Sequence, residues 1–327
     1  MKPCRYLATL TVVLMLTGVL EGGISHARAD TSRIRITAIV EHPALDAVRK
    51  GVWDELAEQG FKDGGNMDWE FQSAQGDMGI AGQIARKFVG DEPDVIVAIA
   101  TPSAQAVVAA ARGSVPVVFS AVTDPVDAKL VKDPGHPGGN VTGVSDMLPV
   151  AKHLALIREV VPEVRTIGIP YNPGEANAAV LVGRVKEIAP GLGLKIITAS
   201  APNSGDVLMA ARSLVGKVDV IYVTTDNTVV SAFESVAKVG MDAQIPVFAG
   251  DTDTVTRGAV AAVGFDYYDV GRQTGAVVVR ILKGEKAGDI PVQGVETTKL
   301  YLNPKAARKM GIELPDALIK RATRVVD

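Results

Sequence analysis

The stretch from Asp94 to Ala111, "DVIVAIATPSAQAVVAAA", decides how this chain folds. Val95 to Ala100 is an unbroken apolar run, too short for a buried helix and suited to a strand covered on both faces. It runs directly into Thr101-Pro102-Ser103 and then into an alanine-rich helical pattern. Proline is tolerated at the first helical positions because the N–H it lacks has no partner there. Such a turn contributes little to a core. It aims a helix N-terminus and two hydroxyls at whatever lies above the strand end.

Working outward, the same unit recurs in both directions. Apolar runs at Ile34–Val40, Met67–Gln72, Val115–Ala121, Thr166–Pro170, Leu194–Thr198, Val218–Val223, Pro246–Ala249 and Val260–Phe265 read as further strands. Helical spacing fills the intervals. In "ALDAVRKGVWDELAEQG" (Ala44 to Gly60), Leu45, Val48, Val52 and Leu56 share one face, while Asp46, Arg49, Lys50 and Glu58 face elsewhere. Regular alternation of this kind implies α/β architecture, with parallel sheets covered by helices on both faces. The alternation breaks at "DPGHPGGNVTG" (Asp133 to Gly143), rich in proline and glycine. About four units precede that break and four or five follow it, which implies two doubly wound lobes of similar size.

In such sheets, function gathers at the carboxyl ends of the strands. The exits read "EHPALDA", with Glu41 and His42; "TPSAQA", with Thr101 and Ser103; "TDPVDA", with Thr123 and Asp124; "NPGEANAA", with Asn172 and Asn177; "TDNTVVSA", with Thr225, Asp226 and Asn227; and "GDTDTV", with Asp251. Helix capping alone accounts for a polar residue before proline at any one exit. It accounts less well for extra hydroxyl, amide and carboxylate groups at nearly every exit in both halves. Two such rims face to face form a polar cleft suited to a small zwitterion. Free N–H groups at the helix start, with the Thr101 and Ser103 hydroxyls, suit a carboxylate. An amine needs an anionic acceptor, for which Asp251 and Asp226 are candidates in the second half and Asp124 in the first. The asparagines either add hydrogen bonds or serve as caps and turns. Tyr171 and Phe119 either wall a side-chain pocket or belong to the core.

Composition limits what else the chain can do. Lys2 and Arg5, the apolar run Leu7 to Leu20, and "SHARA" ending at Ala29 read as a cleaved export signal spanning residues 1–29. The alternative, a retained membrane anchor, suffers from an apolar run shorter than the roughly 18 residues a span needs. Cys4 precedes that run, so it is not placed as a lipid acceptor, and the chain from Asp30 onward has no thiol. Thiol catalysis and cysteine metal sites are thereby excluded. With the leader set aside, 31 basic residues stand against 36 acidic ones, a net charge of −5, which argues against nucleic acid. His42, His136 and His153 make no metal-ligand spacing, and no cofactor is expected. No P-loop, G-x-S-x-G or dinucleotide fingerprint occurs, although a hydrolase built on His42 and Asp46 stays formally open.

Seven blocks then carry a resemblance: "VEHPALDAVRKG" (Val40 to Gly51), "AQGDM" (Ala74 to Met78), "VAIATPSAQA" (Val97 to Ala106), "AVTDPVDAKLVKDPGHPGGNVTGVSD" (Ala121 to Asp146), "YNPGEAN" (Tyr171 to Asn177), "VGKVDVIYVTTDNTVVSA" (Val215 to Ala232) and "GFDYYDVGRQTG" (Gly264 to Gly275). Together the chain resembles the ABC-transporter substrate-binding proteins associated with tryptophan and tyrosine uptake. The resemblance implies a type I periplasmic-binding-protein fold, with two α/β lobes, three hinge crossings and a cleft that closes on ligand. It implies a first lobe of residues 30–145 plus 265–289 and a second of 146–264 plus 290–327, with the "PGGNVTGVSD" block as the first crossing. It also implies an α-amino-acid ligand, aromatic in this branch, held by Thr101 and Ser103 at its carboxylate and by a second-lobe acid at its amine. An ABC permease and ATPase would be the partners of a monomeric, periplasmic, non-catalytic receptor. A sensory protein of the same fold, or a receptor for another small polar solute, remains a live alternative.

Overall fold

The computed structural model describes residues 31–295 and 297–326; the expected export signal lies outside the described residues. The chain opens with Ser32–Ala38 (β1), Pro43–Glu58 (α1), Met67–Ser73 (β2), Met78–Gly90 (α2), Val95–Ile99 (β3), Thr101–Ala111 (α3), Val117–Val122 (β4) and Val141–Ser145 (β5). It continues through Val150–Val160 (α4), Thr166–Tyr171 (β6), Ala176–Ile188 (α5), Lys195–Ser200 (β7), Val207–Leu214 (α6) and Val220–Val223 (β8). Asn227–Ser231 (α7), Phe233–Ala243 (α8), Val247–Ala249 (β9), Asp253–Thr256 (α9) and Ala261–Gly264 (β10) follow. The last part holds Tyr267–Leu282 (α10), Gln293–Gly294 (β11), Lys299–Leu302 (β12), Pro304–Lys309 (α11), Asp316–Arg321 (α12) and Arg324–Val325 (β13).

Two sheets result, ordered β11-β5-β4-β3-β1-β2 and β13-β12-β10-β9-β8-β6-β7. The first is parallel throughout, and the second is parallel except where β12 runs against β10. Burial explains the reading that found them. Every residue of β3 and β4 is buried, as a strand covered on both faces requires, whereas edge strand β2 is mostly half-exposed. All nine runs expected as strands are strands. Four strands were not expected: the short C-terminal β11, β12 and β13, and β5, whose "VTGVS" sits inside the glycine- and proline-rich block and has too few apolar residues to stand out.

Two expected boundaries shift for that reason. The "PGGNVTGVSD" block is not wholly a crossing, since Val141–Ser145 pairs with β4 and the chain leaves the first sheet only after Ser145. The last crossing does not fall before Ile290 either. Gln293 and Gly294 pair with Val144 and Ser145, so the first sheet keeps the chain through Gly294. The chain thus passes between sheets after β5, after β10 and after β11.

Helix α10 returns to the first lobe and packs along α1 at backbone distance. A Cβ on Gly51 would lie 2.2 Å from the Tyr268 carbonyl oxygen, and one on Gly271 would lie 2.1 Å from that of Val48. Only glycine fits at either position, because the obstacle is backbone and cannot rotate away. Gly271→Ala should therefore cost about 1–3 kcal/mol or more through overpacking, read as a fall of several degrees in the midpoint of thermal unfolding. An unchanged midpoint would show that the helices part without cost.

Candidate functional site

The strand orders place the exits in sequence along each rim. On the first lobe, from the crossing outward, stand Asp146 after β5, Thr123 after β4, Thr101 and Ser103 after β3, and His42 after β1. On the second stand Asp251 after β9, Thr225 to Asn227 after β8, and Asn177 after β6. Neighbouring strands lie about 4.8 Å apart, so each rim offers a row of polar groups at roughly that spacing.

A cavity lies between the rows. His42, Ala44, Leu45, Ala121, Thr123 and Tyr267 line it from the first lobe, and Asp146 from the first crossing. Asn177, Thr225, Asp226, Asn227, Val230 and Asp251 line it from the second. Nearly all are buried, so the two lobes are closed over the space.

The exits divide sharply by what their polar atoms do. Asp226 is a cap and brace: its Oδ1 accepts from the Val229 N–H at 2.9 Å and its Oδ2 from the Asn172 N–H at 2.5 Å. Asn172 closes a local turn onto the Gly174 N–H and donates to Thr228 Oγ1. Asp124 accepts from the Val126 and Asp127 N–H groups and pairs at 3.5 Å with Arg184 of α5, on the opposite lobe. Glu41 is exposed, Tyr171 is half-buried against the core, and neither lines the cavity.

Other exits are left short of partners. Helix α3 has no side-chain cap, and Thr101 Oγ1 and Ser103 Oγ, each only 1 % exposed, meet no hydrogen-bond partner among the described residues. The same holds for both ring nitrogens of His42, for Asn177 Oδ1 and for Thr225 Oγ1. Buried polar atoms without partners cost about 1–3 kcal/mol each, so those of His42, Asn177 and Thr225, which line the cavity, mark a place for a ligand, whereas Thr101 and Ser103 are buried outside its lining. Strain accompanies the exits. Ala100 (φ 72°) and Ala121 (φ 53°), at the exits of β3 and β4, hold left-handed backbone that alanine disfavours.

The electrostatics are one-sided. Asp146 accepts from the Tyr267 hydroxyl at 2.8 Å and from Thr123 Oγ1 at 3.5 Å. Asp251 uses one oxygen for the Asp253 N–H at 2.7 Å. No lining residue is cationic. Burial pushes the Asp146 carboxyl up to about 6; burial, reinforced by the charge of Asp253, pushes Asp251 up to about 7. Burial, with Arg257 nearby, holds the His42 imidazole down at about 4, and Asn227 beside the ring works weakly the other way without reaching hydrogen-bond geometry. His42 is therefore neutral at pH 7. Sequence reading missed Asp146, Tyr267 and Glu175. The first follows a strand hidden in the glycine-rich block, the second opens the returning helix, and the third lies inside an exit whose asparagines drew notice.

Comparison with known proteins fits this geometry. Residues 33–326 match the family model of ABC transporter substrate binding proteins. The chain is 38% identical over 309 residues to the tyrosine-binding protein of Clostridioides difficile, covering 92% of this chain and 89% of that one. It superposes on the structure of an ABC domain in complex with L-Trp from Streptococcus pneumoniae with a TM-score of 0.87 at 36% identity, covering 91% and 100% of the two chains. Against the ligand-free, open structure of a substrate-binding protein with adhesive properties from Clostridium difficile, the identity is higher, 42%, over 90% and 99% of the chains. Yet the TM-score there is only 0.68. Lower likeness at higher identity is what a different lobe arrangement produces, and this structure sides with the L-Trp complex.

Closing the lobes over Asp251 raises its affinity for a proton. Closure of the ligand-free protein is thus opposed progressively between about pH 4 and pH 7, and fully above that. Asp251→Asn removes the Asp251 share of the opposition and leaves that of Asp146. Small-angle scattering of ligand-stripped protein should show the variant more compact than wild type at pH 8 and the two alike at pH 4; His42, common to both, cancels in the difference. Equal radii at pH 8 would discharge Asp251 from this role.

Proposed function

Since the chain belongs to the ABC transporter substrate-binding proteins, we propose that it is a receptor that holds an aromatic amino acid between its lobes and delivers it to an ABC permease and ATPase. One observation carries this reading. Unsatisfied hydroxyls at the uncapped start of α3 stand on one lobe, and the under-used carboxylate of Asp251 stands on the other. The two halves of an amino-acid zwitterion supply what each lacks. The carboxylate takes the Thr101 and Ser103 hydroxyls and the free N–H groups of the helix start. The ammonium takes Asp251 and Asp146, supplying positive charge that the closed cavity otherwise lacks. Ala44, Leu45, Ala121 and Val230 give the side chain an apolar wall.

The aromatic assignment draws on the relatives, one named for tyrosine binding and one solved with L-Trp. The reading includes export through the leader to the periplasm, a monomeric state, and binding without turnover. Among the described residues no helix is long and apolar enough to cross a membrane. A ligand that touches both lobes stabilises the closed form by its differential affinity for it, which is the signal a permease can read.

Thr101→Ala combined with Ser103→Ala should weaken binding by about 2–4 kcal/mol in titration calorimetry, the loss expected when two hydroxyls hold a charged group; unchanged affinity would remove the cradle. Asp251→Asn should weaken binding of the amino acid far more than binding of its deaminated analogue. Equal losses for both would reduce Asp251 to a turn residue. Ligand-stripped protein screened against the twenty amino acids should gain a few degrees of thermal midpoint from aromatic ones alone.

A further inference from the structure

The end of the cavity far from the first crossing is built from Asn177, Asn227 and His42, behind which lies Glu175. That carboxyl is only 6 % exposed and is crowded by donors. Its Oε1 accepts from the Thr228 N–H at 2.9 Å and the Thr228 hydroxyl at 2.7 Å. Its Oε2 accepts from the Asn227 N–H at 3.1 Å, the Asn227 Nδ2 at 2.6 Å and the Asn177 Nδ2 at 3.1 Å. Backbone N–H groups can only donate, and they approach both oxygens, so Glu175 serves as an acceptor throughout.

This fixes the sense of the amides. The Asn177 NH₂ has two hydrogens, and both are committed, one to Glu175 and one to the Thr225 carbonyl oxygen at 2.8 Å. Turning the amide over would set its oxygen against two acceptors. Asn177 Oδ1 is therefore held as an acceptor, and it is buried and unpartnered beside the cavity. The Asn227 amide is oriented by the same carboxylate, and the unpartnered ring of His42 lies next to it.

We infer that this end of the cavity selects a ligand side chain that carries a hydrogen-bond donor, with Asn177 Oδ1 as the acceptor and Glu175 as the positioning residue that keeps it so. The inference rests on the aromatic reading and divides that class: the tyrosine hydroxyl and the tryptophan indole N–H each bring a donor, and phenylalanine brings none. A phenylalanine ring would shut the lobes over an acceptor with nothing to accept, a penalty of about ten- to a hundredfold in affinity.

Titration calorimetry of the ligand-stripped protein with tyrosine, tryptophan and phenylalanine tests it. Wild type should bind tyrosine or tryptophan at least tenfold more tightly than phenylalanine. Asn177→Leu, close in volume but without an acceptor, should cut that ratio at least tenfold. Glu175→Gln, which lets the amide turn, should cut it in the same direction; a purely structural role for Glu175 would weaken all three ligands alike and leave the ratio standing. Wild type binding phenylalanine as tightly as the other two, or both variants leaving the ratio intact, would overturn the inference while the aromatic reading stands. Binding none of the three would overturn both.

Discussion

Everything in the cleft depends on the difficulty of burying a carboxylate without a cation. Asp146 and Asp251 are all but inaccessible, and each has fewer hydrogen bonds than its oxygens can accept. In water both would be ionised and well solvated. Between closed lobes they lose that solvation, and the raised proton affinity of both follows from the loss. The closed form is therefore incomplete by itself, and a ligand with a positive group changes the balance between closed and open by resolving that specific deficit. Affinity and closure are then one quantity seen from two sides.

The second lobe shows what a finished acidic site looks like by contrast. Glu175 and Asp226 are also buried, yet their oxygens are met by N–H and hydroxyl groups from segments more than fifty residues apart in sequence. Burial, with the charge of Glu175 next in weight, raises the Asp226 carboxyl well above its ordinary range. These two acids tie β6, β8 and the starts of α5 and α7 into one frame, and the orientation of the ligand-facing amides follows from it. The clearest contrast is between Glu175, met by five donors and part of the lobe's frame, and Asp251, met by one and left for the ligand.

The strands were legible because a buried parallel strand writes itself as an apolar run, and β3 is the clearest case. β5 was not, since five residues containing a glycine and two hydroxyls carry no such signature. The site was legible as a set of exits but not as a set of roles. Thr101 and Asp226 look alike in sequence, each a small polar residue between a strand and a helix. What separates them is whether a distant segment returns with a donor. The Asn172 N–H returns to Asp226 from 54 residues away, and nothing comes back to Thr101. That information is tertiary, and no local spacing contains it. Asp124 has local donors in Val126 and Asp127, and a distant partner, Arg184 on the other lobe, that no local spacing reveals.

The backbone contact between α1 and α10 has a mechanical meaning as well as a packing one. His42 immediately precedes α1 and Tyr267 begins α10, so two cavity-lining rings are carried by helices clamped glycine to backbone. No layer of side chains lies between those helices at the crossing to compress or repack. Whatever the lobes do, the starts of the two helices move as one body. The first lobe meets a ligand as a rigid face, and adjustment falls to the other side.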